Sequence, residues 1–422
     1  MQSRSAMMHE PGALPRRRSA GPGLAWLAAV ALLVVAHLWA WKLLLTYHKR
    51  RDFTWIYMAG RAWWSHLSPY DLNALVRLRA AQQWGRPPPY FWSTGEALPP
   101  FVYPPHWIVV ALPAALLTFS VATGIWDLVN YVSLVGACLV CWRMSSQRVP
   151  AMSKPLLLAA VALCTLSSGT RWSLGDNQMD LLPLLGVAAA LWACQTHRTA
   201  WLAIGCFVAL LKPQIGLAPV LYLFLRDGRR GVSLGGVAVL VVSLLAMVPS
   251  GLERFPTQVL NSMHAHEAFD FNAPSRFYDV AALLSPLSAG SAPFAVSAFL
   301  GLGFVALLAL WKPLAEAEAM RDPLWRFGVL MATSVAFFPQ HGYGFAVYVP
   351  IIVLALQFRP RWLGAGVALL CLVLSHTTAY EPLKNWPLIG PAACLLVLGG
   401  TVVAMLNASG PETAGAASIP GA

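Results

Sequence analysis

The chain has 422 residues, of which 58% are hydrophobic and 11% charged, with a mean hydropathy of +0.60. A soluble globular protein carries roughly 25% charged residues, so this deficit excludes a water-soluble fold and makes lipid the main solvent. The net charge of +12 does not mark a nucleic-acid binder, because the basic residues sit at the ends of apolar runs and not in one polar domain with interleaved aromatics.

In chain order, a basic N-terminal tail (1–23) carries Arg16, Arg17 and Arg18 and leads into an apolar stretch at 24–47. That stretch is too long for a signal-peptide core and ends in Trp39, Trp41 and Lys42 without a small-residue cleavage site, so it reads as a retained first span. Residues 48–103 then form a long external loop, with short helices expected at 52–65 and 71–84 and with Trp55, Trp63 and Trp64 at headgroup depth. Further apolar runs follow at 104–121, 123–143, 155–170, 179–195, 200–225, 232–249, 292–311, 325–339, 344–358, 362–379 and 387–406. Each has about the length needed to cross a hydrocarbon core about 30 Å thick.

The chain therefore reads as an all-α integral membrane protein of about twelve transmembrane helices, one polytopic domain over 24–406. A second long external loop occupies 250–291, and a Gly-, Ala- and Pro-rich tail at 407–422 is expected to be disordered. An even number of spans puts both termini on one side. Arg16 to Arg18, Arg226, Arg229, Arg230, Lys312, Arg321, Arg326, Arg359 and Arg361 place that side in the cytoplasm. Lys212-Pro213 interrupts the run 200–225, and a pair of half-helices there would change the sidedness of the residues between 104 and 226.

All seven cysteines lie in apolar runs, where they pack as small hydrophobes; Cys138-x-x-Cys141 lacks the soluble setting of a redox motif. Chemistry must come from the few polar residues. Asp52 follows Lys49, Arg50 and Arg51 at the external end of the first span. It reads either as a helix N-cap or as a general base beside cations that hold an anionic headgroup. His341 lies between two spans on the same expected side, as an interfacial residue or a partner of that site. Lys212, within an apolar run, is a functional candidate by cost alone, unless it snorkels or pairs with an unrecognised acid. Gly175-Asp176-Asn177-Gln178, with Arg171 before and Asp180 after, opens a span with groups suited to capping it. His264, His266, Glu267, Asp270, Arg276 and Asp279 in the second loop fit no zinc spacing, so no metal and no cofactor is implied. P-loop, GxSxG and HExxH motifs are absent from the sequence.

The run Asp52-Phe-Thr-Trp-Ile-Tyr-Met-Ala-Gly-Arg-Ala, followed by Ser68-Pro-Tyr-Asp71, resembles the pattern after the first span of glycosyltransferase family 87. So do Tyr103-Pro-Pro, Gly175-Asp-Asn-Gln178, Leu211-Lys-Pro213 and Pro339-Gln-His341, in the same order; the family usually shows Gly-Gln where this chain has Gly175-Asp176. The resemblance spans roughly residues 24 to 360. It implies a GT-C fold in the cell (inner or plasma) membrane, with an active site on the external or periplasmic face. It implies a polyprenyl-phosphate sugar donor, with mannose the expected sugar, a lipid or glycan acceptor, and inversion at the anomeric carbon. By that analogy Asp52 is the base that deprotonates the acceptor. His341, Lys212 and Arg51 lie near the donor phosphate, and Tyr57, Arg61, Tyr70, Asp71, Asp176, Gln178 and Gln340 are substrate contacts. The rival readings are a transporter or flippase of a lipid-linked sugar, which a charged residue at a helix break would suit, and a non-catalytic envelope scaffold.

Overall fold

The computed structural model describes residues 22–46, 51–81, 101–145, 154–166, 173–174, 178–267, 279–287, 292–339, 347–377 and 389–408. Residues 1–21 and 409–422 of the two tails lie outside the described residues, and among the described residues every regular element is a helix. Five helices are long and apolar enough to cross a membrane: α1 (Pro22–Thr46), α5 (Phe119–Ser145), α10 (Arg229–Met247), α13 (Ala292–Leu310) and α19 (Ile389–Ala408). They leave Leu27, Leu38, Leu240, Val241, Phe299 and Leu396 exposed. Large apolar side chains turned outward from apolar helices need lipid as their solvent, so this is a membrane protein.

Shorter apolar helices fill the interior. α16 (Pro323–Phe337) is buried over nearly its whole circumference, and its start is fixed by Asp322, whose carboxylate accepts the Leu324 N–H at 2.8 Å ahead of Pro323. Between α5 and α10 lie α6 (Lys154–Thr165), α7 (Leu181–Gln195), α8 (Thr199–Ala209) and α9 (Pro213–Leu225). α8 and α9 have 11 and 13 residues, rises of about 16 and 20 Å, so neither reaches across about 30 Å of hydrocarbon by itself.

The run 200–225, read from sequence as one span, is therefore not one. α8 and α9 fold back on each other through a turn at Leu210, Leu211 and Lys212. A Cβ on Gly216 of α9 would strike the backbone of Ala209 at the end of α8. At the other end of the pair, Leu202 of α8 and the Leu223 carbonyl of α9 both lie 3.1 Å from where a Cβ on Gly228 would sit. α7 runs antiparallel to α8, with Gly186 against Val208 and Ala209 and Gly205 against Ala190. α10 runs alongside α8 in the same direction, Gly231 meeting Leu202 and Gly235 meeting Ala203 and Cys206.

This packing gathers cations at one end of the pair. The Arg226 guanidinium donates to the Ala315 carbonyl at 3.1 Å, and Arg326 pairs with Asp227 at 3.1 Å. Arg198, at the start of α8, joins them at this end. The Lys212 turn lies at the other end. The fold-back thus supplies the half-helix alternative that the Lys212-Pro213 interruption allows, and it sets residues 196–198 and 226–228 on the same side. Thr196→Cys and Asp227→Cys are expected to react with a membrane-impermeant maleimide from the same face of sealed vesicles. Labelling from opposite faces would restore a single span.

Candidate active site

α2 (Arg51–Trp64) opens with Asp52 in its first turn, where the positive end of the helix dipole favours a carboxylate. The helix packs on α4 (Ile108–Ala115) at a separation that admits no side chain at Gly60, whose Cβ would collide with the Ala111 carbonyl. A helix end leaves carbonyls without partners, and α2 supplies donors to two of them beyond α4. The Tyr57 hydroxyl donates to the Leu117 carbonyl at 2.9 Å and the Arg61 guanidinium to the Ala115 carbonyl at 3.3 Å. Trp63 and Trp64 tie the same helix to the Leu245 and Leu112 carbonyls at 3.0 and 3.1 Å. Trp55 is buried against protein, because one face of α2 is committed to the interior.

That face belongs to an aromatic cluster. Phe53 stacks on Trp126 of α5 with centroids 5.4 Å apart; Trp126 meets Trp107 at 5.8 Å, and Trp107 meets Tyr103 at 5.7 Å. Tyr70 packs edge-on against Phe101 and Phe255, and its hydroxyl donates to the Tyr103 carbonyl. Burial pushes the Tyr70 phenol well above its usual range, so it stays a neutral donor. Asp71 accepts the Ala74 N–H at 3.1 Å and so caps α3 (Leu72–Ala81).

The Lys212 turn sits against this cluster through a single 3₁₀ turn, Pro105–Trp107. The indole N–H of Trp107 donates to the Leu211 carbonyl at 2.6 Å, and His106 hydrogen-bonds the Leu210 backbone. Irregular backbone at membrane depth survives only where protein satisfies its polar groups, and these two side chains do so. The Tyr103-Pro-Pro and Leu211-Lys-Pro segments are thus two halves of one structure.

Lys212 forms an ion pair with Asp180, the residue just before α7. The Asp180 side chain is 0% exposed and that of Lys212 17%. Asp180 makes no capping bond to α7, so the capping role suggested by its position gives way to pairing with the lysine. Removing one partner of a buried pair typically costs about 3–5 kcal/mol, because the other charge is stranded. The charge of Asp52 also acts on Lys212. Packing agrees: Phe53, Met179 and Leu211, the chain neighbours of Asp52, Asp180 and Lys212, belong to the same buried cluster. Segments 52–53, 178–180 and 210–213 therefore meet in one place.

The sequence profile described as glycosyltransferase family 87 matches residues 101–339. The chain belongs to this family. No curated protein and no solved structure gives a match. Membership makes the protein an enzyme that transfers a glycosyl group from a donor to an acceptor. The matched stretch holds Tyr103, Gln178, Asp180 and Lys212, whereas Asp52 precedes it and is joined to it by the contacts just described.

In this family 87 enzyme, Gln178, two residues before Asp180, is buried, and its backbone N–H donates to the Ser173 carbonyl at 3.0 Å. Asp176, Gln340 and His341 lie outside the described residues, as does the side chain of Arg51, the first residue of α2. In the second long loop, His264 is exposed on α11 (Phe255–Glu267); the side chains of His266 and Glu267, and Asp270 and Arg276, lie outside the described residues. Asp279 caps α12 (Val280–Leu284), accepting the Ala281 N–H at 2.9 Å, and burial pushes its carboxyl up to about 7.

Trp107→Phe keeps an aromatic ring but leaves the Leu211 carbonyl without its donor. It is expected to lower unfolding stability by about 1–3 kcal/mol, read as a fall in melting temperature of the purified protein, together with a fall in transfer activity.

Proposed function

We propose that this enzyme moves a sugar, mannose first, from a polyprenyl-phosphate carrier to a hydroxyl of a lipid or cell-envelope glycan, at the external face of the cell membrane. In this reading the helices form a GT-C-type bundle and the anomeric centre is inverted. Asp52 takes the proton of the acceptor hydroxyl as its oxygen forms the bond to C1. The C1–O bond to phosphate breaks, and polyprenyl phosphate departs with the electron pair. The observation that carries the reading is the convergence of Asp52 with Lys212 on one aromatic wall, in a chain of a glycosyltransferase family.

Such a donor is already activated by its phosphate, so the protein must supply a base, cations for the departing phosphate and a surface open to lipid. Lys212, Arg51 and His341 are the proposed phosphate contacts, and Asp176, Gln178 and Gln340 the proposed sugar or acceptor contacts. Tyr57, Arg61, Tyr70 and Asp71 each bond to backbone. Their proposed part is therefore to hold Asp52 and the aromatic wall around the substrate.

The test is turnover of a panel of labelled polyprenyl-phosphate sugars by purified protein in native lipid extract. Folded Asp52→Asn, still melting cooperatively above the assay temperature, is expected to lose transfer by about 10²-fold or more. A folded Asp52→Asn enzyme that retains transfer would remove Asp52 as the base. Counterflow of labelled donor without product would favour a transporter.

A further inference from the structure

The site holds a feature that base catalysis does not by itself require: a second carboxylate, paired with the cation. Asp180 is fully buried and its Oδ1 bonds Lys212, while among the described residues its Oδ2 meets no hydrogen-bond donor. A carboxylate with no exposed surface depends on Lys212 for its counter-charge. Lys212 in turn feels the charge of Asp52. One ammonium is thus paired with Asp180 and acted on by the charge of Asp52.

A carboxylate beside a cation is a weaker base: a positive charge within about 4–6 Å lowers a carboxylic acid by about 1–3 units. If Lys212 belonged to Asp52 alone, Asp52 would be held ionised and poor at taking a proton. A buried acid that must be neutralised by the same lysine prevents this. We propose that Asp180 is a positioning residue for the transfer reaction, limiting how far Lys212 stabilises the Asp52 carboxylate and so keeping Asp52 basic enough to accept the acceptor's proton. The inference rests on the reading of Asp52 as the base.

The other ionisable groups carried by the elements packed here are few. α2 itself carries Arg51 and Arg61, the latter bonded to the Ala115 carbonyl. The 3₁₀ turn carries His106, bonded to the Leu210 backbone, and α5 carries Asp127 next to Trp126. α3 is capped by Asp71, Tyr57, Tyr70 and Tyr103 belong to the aromatic cluster, and α11, whose Phe255 joins that cluster, carries the exposed His264. Asp180 shares an ion pair with Lys212 and so competes with Asp52 from the α7 side.

The test is the pH dependence of kcat for transfer in the full-length enzyme, reading the ascending acid-side limb. Asp180→Asn is expected to move that limb to lower pH by about one unit and to lower the plateau roughly threefold, as a weaker base should. Lys212→Met moves the limb to higher pH, and Asp180→Glu keeps the wild-type limb. Should Asp180→Asn fail to fold, Lys212→Met and Lys212→Met/Asp180→Asn carry the test. Without the cation Asp180 takes up a proton, so the two variants shift the limb upward equally.

A limb that stays in place in folded Asp180→Asn, or in both lysine variants, overturns the proposal and leaves Asp180 a structural residue. Activity of folded Asp52→Asn would instead overturn the underlying reading, so the two failures are distinguishable.

Discussion

A lysine ammonium inside an apolar helical bundle is costly by at least a few kcal/mol unless something meets its charge. In this protein Asp180 meets it, and neither residue can be placed without the other. Asp180 precedes α7, and Lys212 ends the turn between α8 and α9. The pair therefore fixes where three short helices begin and end relative to one another. The fully buried α16 packs on the same group, with the Ser334 hydroxyl donating to the Ile215 carbonyl of α9 at 3.3 Å. The charge pair sets the register of a region that apolar contacts alone, being non-directional, leave free to slide.

Backbone demands act in the same direction. Short helices expose unpaired carbonyls at their ends, and hydrocarbon offers no water to satisfy them. Two such ends here meet side-chain donors from other motifs: Tyr57 and Arg61 of α2 serve the end of α4, and Trp107 and His106 serve the turn after α8. Motifs separated by tens of residues are thus linked by hydrogen bonds whose loss would leave buried polar groups unmet. That linkage brings the N-terminus of α2, with Asp52, up to the lysine. The residues that carry the family pattern are mostly builders of the site, and the groups left for chemistry are few.

Much of this was legible in the amino-acid order, for physical reasons. Long apolar runs gave α1, α5, α10, α13 and α19, because length and hydropathy decide what can span a bilayer. Lys212 stood out through the cost of its charge, and an unrecognised acid was among its expected partners. Asp180 was read as a helix cap, since position alone does not separate a capping carboxylate from a pairing one. The usable signal was the presence of one lone acid and one lone cation in neighbouring apolar stretches. The fold-back of α8 on α9 was harder to see, because an interrupted apolar run of 26 residues from 200 to 225 suits one kinked span as well as two short helices. Gly186, Gly205, Gly216 and Gly228 make the close packing possible, yet glycines in apolar runs are common in membrane helices and point to no particular topology.

The central claim is that α2 and the Lys212 turn meet, so that Asp52 and Lys212 share one electrostatic site. A double-mutant cycle on unfolding free energy, with Asp52→Asn, Lys212→Met and the double variant in the same lipid-detergent mixture, measures this directly. The account requires a coupling of about 0.5–3 kcal/mol, with the double variant less destabilised than the sum of the singles. Additivity within about 0.3 kcal/mol would mean that the two charges do not interact and that the site is not assembled as described.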